Sequence, residues 1–157
     1  MSERIAKAWE YQLRGFDDWG TTWAPTSSKA RYEALRGIQD SYSDATFADI
    51  RIRRAAHMDR RLPGEHRLVA ELDQRDREII LNAYGFQGHR PERAGYRDHY
   101  CCHPGNARML RLAWELGLFR GPFGEGPYGT SPGWAGAFFY LSDLGKHVAL
   151  SMVPTYC

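Results

Sequence analysis

Residues 121–136 hold six glycines and three prolines in sixteen positions, and the strongest strand signal of the chain, Ala137-Phe138-Phe139-Tyr140-Leu141, follows at once. Backbone this rich in glycine and proline cannot continue a helix or a strand, because one residue type is too free and the other lacks its amide donor. The stretch therefore reads as the tip of a long hairpin. It also limits the available chemistry. A phosphate-binding loop ends in Gly-Lys-Ser/Thr and runs into a helix. A dinucleotide fingerprint needs a strand before its glycines and a helix after them. Here the glycines lead into a strand, so a flexible hairpin tip is expected rather than a nucleotide cradle, and such a tip can contact a partner.

The rest of the chain alternates between two periods. Trp9-Glu10-Tyr11-Gln12-Leu13-Arg14 and Thr21-Thr22-Trp23-Ala24 read as strands joined by the turn residues 15–20. Thr26 or Ser27 can cap a helix from Ser28 to about Tyr42, on which Ala30, Ala34, Leu35, Ile38 and Tyr42 share a face. Phe47 to Arg53 alternates again as a third strand. Residues 1–58 thus form a ββαβ unit. Residues 59–73 are charged, carry Pro63-Gly64 and lack a period, so they read as a linker.

Residues 74–157 make up the remainder. Asp73 or Asp76 can open a helix through Tyr84, with Ile79, Ile80 and Ala83 inward and Gly85 as its stop. A second helix starts at Pro104 and stops at Gly117, with Leu110, Ala113 and Trp114 on one face. Ser142 caps a last helix, Asp143 to about Met152, which Pro154 ends.

Composition sets the class. The 157 residues are 43% hydrophobic and 25% charged, with a net charge of +2. This suits a folded domain or two small units. No run approaches the roughly 18 apolar residues of a membrane span, and Met1 to Lys7 lack the apolar core of a secretory signal. A cytoplasmic protein with no membrane partner is expected.

Of the 21 basic residues 18 are arginine, and they cluster. Arg51, Arg53 and Arg54 end the third strand; Arg90, Arg93 and Arg97 precede the helix at Pro104; Arg108 and Arg111 lie three apart on it. Guanidinium groups bind phosphate in a planar, two-pronged way, so these are candidate partner or nucleic-acid contacts. Against that, residues 59–100 hold eight basic and eight acidic groups. Aromatic side chains dominate interface energetics, so Tyr128 and Trp134 join the candidates, with Trp19; Trp9 and Trp23 read as core.

Histidine and cysteine gather at His89, His99, Cys101, Cys102 and His103. His99, Cys101, Cys102 and His103, with Cys157, are the candidate zinc ligands, though no Cys-x2-Cys pair is present. Cys102 beside His103 also raises thiol catalysis, for which a base and an orienting group are needed. Neither forms a recognisable catalytic set, so no catalytic residue is assigned, a non-enzymatic protein is favoured and no cofactor is expected unless zinc is bound.

Gly117-Leu118-Phe119-Arg120, the glycine-rich hairpin, and Phe138 to Lys146, with its Tyr140-Leu141-Ser142-Asp143-Leu144-Gly145-Lys146 step from strand to helix, resemble the end of a winged-helix domain. The loop is longer than a usual wing, and residues 85–103 replace the tight turn between the core helices. The resemblance implies a recognition-like helix carrying Arg108 and Arg111, and a wing at 121–136. The whole chain, including Ala24 to Tyr32 and Tyr96 to Tyr100, also looks like small phage- and prophage-encoded proteins. That resemblance implies a setting of short regulators and inhibitors of host defence, such as anti-CRISPR proteins.

The expectation is an α+β protein with an N-terminal ββαβ unit packed against a winged-helix-like C-terminal unit. Three functions stay open. One is a non-enzymatic binding protein that regulates or inhibits a host protein or nucleoprotein complex. The others are a winged-helix DNA-binding regulator and a zinc- or thiol-dependent enzyme. A second copy of the chain is a further partner the sequence allows.

Overall fold

The computed structural model describes residues 3–86, 94–124 and 136–154, and its secondary structure is of the α+β class. Two compact units emerge, one within residues 3–62 and one within residues 63–153.

In the N-terminal unit, strands β1 (Arg4–Ala6), β2 (Ala8–Leu13) and β3 (Gly20–Trp23) precede helix α1 (Ser27–Gln39), followed by β4 (Ile50–Arg54) and β5 (Arg60–Leu62). β2 lies between β3 and β4, antiparallel to both, while β1 and β5 pair separately. Gly20 stands opposite Tyr11, and a Cβ there would meet the phenol ring at 2.4 Å, so any larger residue would push that ring aside. Thr26 caps α1 by accepting the Lys29 amide. Its buried residues are Ala30 and Ala34, small side chains that let the helix approach closely.

Three expectations are corrected in this unit. Helix α1 stops at Gln39, before Tyr42, and the Ser41 amide closes three residues back on the Ile38 carbonyl in a tighter last turn. Tyr42 is left 48% exposed and meets the Phe16 ring edge-on at 5.1 Å. Phe47 is not in a strand. The Asp49 carboxylate accepts from the Thr46 amide (3.0 Å) and hydroxyl (2.6 Å), which winds residues 47–49 into a 3-10 turn and delays β4 to Ile50. Residues 59–73 are not a plain linker either. Arg60–Leu62 pairs with β1, and a 3-10 turn at Arg67–Glu71 sets Val69, with Leu72, into the C-terminal core. Leu62, Val69 and Leu72 are buried from elements of three and five residues on either side of Pro63-Gly64, too short to show a period of their own, which hid this structure.

The C-terminal unit continues with helix α2 (Gln74–Ala83), strand β6 (His99–Cys102), helix α3 (Ala107–Leu110), strands β7 (Phe119–Phe123) and β8 (Ala137–Leu141), and helix α4 (Asp143–Met152). Asp73 caps α2 and forms a capping box with Asp76, and Gly85 ends the helix region at φ 83°. Helix α3 starts at Ala107 under an Asn106 cap, not at Pro104. The helix then widens into one π-helical turn over Arg111–Glu115. Met109, Leu112 and Ala113, at ordinary helical spacing, are the buried stripe, whereas Trp114, expected inward, lies off it and is 70% exposed. β8 is the central strand, antiparallel to β6 on one side and β7 on the other. Ile80, Met109, Leu112, Leu118, Phe139, Leu141 and Val148 fill the core beneath it. Burying each large side chain of this kind contributes about 1.5–3 kcal/mol.

Candidate functional site

Successive side chains of a strand point to opposite faces, so the register of the β6–β8–β7 sheet sorts its residues into two sets. Tyr100, Phe139, Leu141 and Phe119 face the core. The other face carries two rows that each cross three strands. His99, Tyr140 and Arg120 make the first; Cys101, Phe138 and Phe123 make the second.

The rings of this outward face touch one another. His99 meets Phe138 edge-on at 5.4 Å and Tyr140 at 5.9 Å, while Tyr140 lies 6.0 Å from both Phe123 and Phe138. Phe123 is 52% exposed; Phe138, Tyr140 and Cys101 are half-buried. Phe123 joins this face only because the pairing slips between Arg120 and Phe123. Gly121 sits at the slip with φ 131°, and a Cβ there would stand 2.7 Å from the Phe138 carbonyl oxygen. The bulge thus turns Phe123 onto the same side as Arg120.

Charge is placed at the rim. Arg120 is exposed and forms no ion pair among the described residues. Beyond His99, the Asp98 carboxylate is matched by Lys146 at 3.4 Å and lies 3.8 Å from the His99 Nδ1. A face of aromatic rings with a free guanidinium at one edge can stack flat π-systems and hold an anionic group beside them.

The arginines singled out in the sequence are mostly engaged within the chain. Arg108 binds both Asp73 oxygens (2.7 and 2.6 Å) and the buried Asp76 (2.6 Å), which raises its own pKa and holds the Asp73 carboxyl below the usual carboxylate range. Arg111 takes the other Asp76 oxygen at 2.9 Å. Arg97 closes on the Asn82 carbonyl and, at 2.6 Å, on its side-chain oxygen. In the N-terminal unit Arg53 pairs with Glu10 at 2.7 Å and lies 4.1 Å over the Trp19 ring. Arg54 ties Asp59 to the Ala8 carbonyl, and Arg51 reaches Gln12 at 3.5 Å. Trp23 is buried, Trp9 is half-buried with its indole N–H on the Ala24 carbonyl, and Trp19 is 39% exposed. Arg90, Arg93, Tyr128, Trp134, His89 and Cys157 lie outside the described residues.

The histidine–cysteine cluster is divided by its own strand. Cys101 faces outward beside His99, whereas Cys102 turns to the opposite side and packs against the core. Burial pushes the Cys102 thiol up, and its S–H donates to the His103 carbonyl at 3.5 Å. The His103 ring turns to its own loop, where Nδ1 accepts the Gly105 amide at 3.1 Å. A nucleophilic thiol needs a lowered pKa and a neighbouring base; Cys102 has the opposite shift. Among the described residues no group of three or more His, Cys, Asp or Glu side chains is placed to hold a metal ion. No helix among the described residues is long and apolar enough to cross a membrane.

Comparison with family models, curated proteins and solved structures finds no match to this chain. The aromatic face is what sequence reasoning missed. Ala137 to Leu141 is apolar throughout, so periodicity could not say which side chains point outward; the pairing of β8 with β6 and β7 does.

Proposed function

We propose that the protein is a small non-enzymatic binding protein of the phage or prophage kind, which regulates or inhibits a host protein or nucleoprotein complex through the outward face of β6–β8–β7. The observation that carries this reading is the contiguous set of His99, Phe123, Phe138 and Tyr140 beside Arg120, which forms no ion pair among the described residues. Aromatic and arginine side chains are the usual anchors of binding surfaces, and rings left at a surface in contact with one another mark a place for a partner.

The C-terminal unit is winged-helix-like on this reading. Its support is the order α2, β6, α3, β7, β8 with β8 as the central strand, together with the Gly117–Arg120 and Tyr140–Lys146 segments. Groove reading by α3 has less support, because Arg108 and Arg111 are committed to Asp73 and Asp76. An inhibitor of host defence is the role that the resemblance to phage proteins suggests.

A photo-crosslinking side chain placed at Tyr140 tests the reading in bacterial cells. A discrete adduct from position 140, absent when the same group replaces the exposed Arg36 on α1, is the expected result. Identical adducts from both positions, or none from either, overturns it.

A further inference from the structure

We infer that the outward face of the C-terminal sheet stacks the bases of a single-stranded nucleic acid. The inference rests on the binding role proposed for this face and names the chemistry of what it binds.

Three features favour bases over a protein side chain. First, the face is a sheet surface whose outward set among the described residues is His99, Cys101, Arg120, Phe123, Phe138 and Tyr140, none of them aliphatic. Protein anchors are usually received in well-packed pockets, whereas bases present flat π faces that an open platform can take, and every base has one. Second, the rings sit on all three strands, with centroids 5.4–6.0 Å apart, so a strand laid across the sheet meets one ring after another. Third, the row His99–Tyr140–Arg120 offers an imidazole and a phenol for base edges and a guanidinium for phosphate. Arg120 has no carboxylate partner among the described residues, in contrast to Arg53, Arg54, Arg108 and Arg111.

A duplex does not meet these terms, because its bases are already stacked and paired. Stacking also explains how a chain of net charge +2 can bind an anionic polymer. One or two phosphate contacts give a shallow salt dependence, with a slope of about −0.7 to −1.4 on a log–log plot.

Fluorescence anisotropy of the full chain with labelled 12-nucleotide oligo-U and oligo-dT, and a duplex of the same length, at about 50 mM salt tests this. Saturable binding of a single strand at least about tenfold tighter than the duplex is expected. Tyr140→Thr and Phe138→Thr, which keep strand propensity, each weaken it by about fivefold or more. Because a core-adjacent change can disturb folding, the exposed Arg120→Gln is the second variant; it reduces the salt slope by about 0.7 while circular dichroism is unchanged. Tighter binding of oligo-U than oligo-dT identifies RNA as the source, and equal binding identifies single strands of either kind. Equal affinity for duplex, no saturable binding, or affinity unchanged in Tyr140→Thr overturns the inference. If oligonucleotides fail while a discrete protein adduct still forms at position 140, the base-stacking inference falls and the binding role stands; if both fail, both fall.

Discussion

Gly145 lies so close to Leu118 that a Cβ on the glycine would stand 2.0 Å from the Leu118 carbonyl oxygen. The same carbonyl accepts the Ser142 amide at 3.0 Å, and the Ser142 hydroxyl donates to the Gly117 carbonyl at 2.6 Å. The first turn of α4 is therefore sewn to the junction between α3 and β7 through backbone atoms, which cannot move aside as a side chain would.

Gly145→Ala is expected to cost about 3 kcal/mol, at the upper end of overpacking effects. Thermal unfolding by circular dichroism should show a fall in Tm of about 6–12 °C. Gly37→Ala is the contrast. A Cβ at Gly37 meets nothing within 4 Å, and the position lies inside α1. Its better helix propensity should stabilise by about 0.5–1 kcal/mol. Equal effects of the two substitutions would contradict the packing described at Leu118.

A second outcome concerns the buried carboxylate. Asp76 is fully buried, and Arg108 and Arg111 supply its counter-charges. Replacing both arginines by methionine strands the charge, for which about 3–5 kcal/mol is typical. Partial exposure of the two arginines places the expected loss at about 2–3 kcal/mol. Urea midpoints of variant and parent at pH 7 check this; a variant as stable as the parent counts against the pairing.

What the sequence makes legible follows the range of the forces involved. Helix α4 is readable to the residue because Ser142, Asp143 and Pro154 act within a turn of its ends. Helix α2 is readable for the same reason, through Asp73 and Gly85. Trp114 is not, because Met109, Leu112 and Ala113 make one apolar stripe at helical spacing and Leu110, Ala113 and Trp114 another, and only the packing selects the first. The pairing of Arg108 with Asp73 spans 35 residues, so clustered arginines look free in one dimension and are tied in three. The aromatic face needed strand order and a bulge at Gly121, neither of which a run of apolar residues encodes locally.

Acid sensitivity follows from three aspartates held below the usual range. Thr46 hydrogen bonds lower Asp49, the Arg54 guanidinium lowers Asp59, and Arg108 lowers Asp73. A group whose folded pKa lies below its unfolded value contributes stability that is present above the unfolded pKa and lost as pH falls through the folded one. The urea midpoint should therefore be flat from pH 7 to about pH 5 and decline below about pH 4. Asp59→Asn removes part of that decline. A midpoint that rises on acidification would contradict all three assignments.

The alternation of β6 makes a last prediction about its two thiols. Cys101 shares the outward row with Phe138 and Phe123, whereas Cys102 turns the other way, beside core residues, with its thiol pushed up by burial. Alkylation needs the thiolate and access to it. Iodoacetamide at pH 7.5 should therefore modify Cys101 faster than Cys102, a difference that urea unfolding removes and that fragment-ion mass spectrometry resolves. The adduct at Cys101 also reports on function. It places a bulky group within the row that Phe123 and Phe138 form, so alkylated protein should lose the crosslink from position 140, while Cys101→Ala keeps it. Equal labelling of both cysteines in the folded protein would mean that β6 does not present the two faces described, and the candidate site would lose its edge strand.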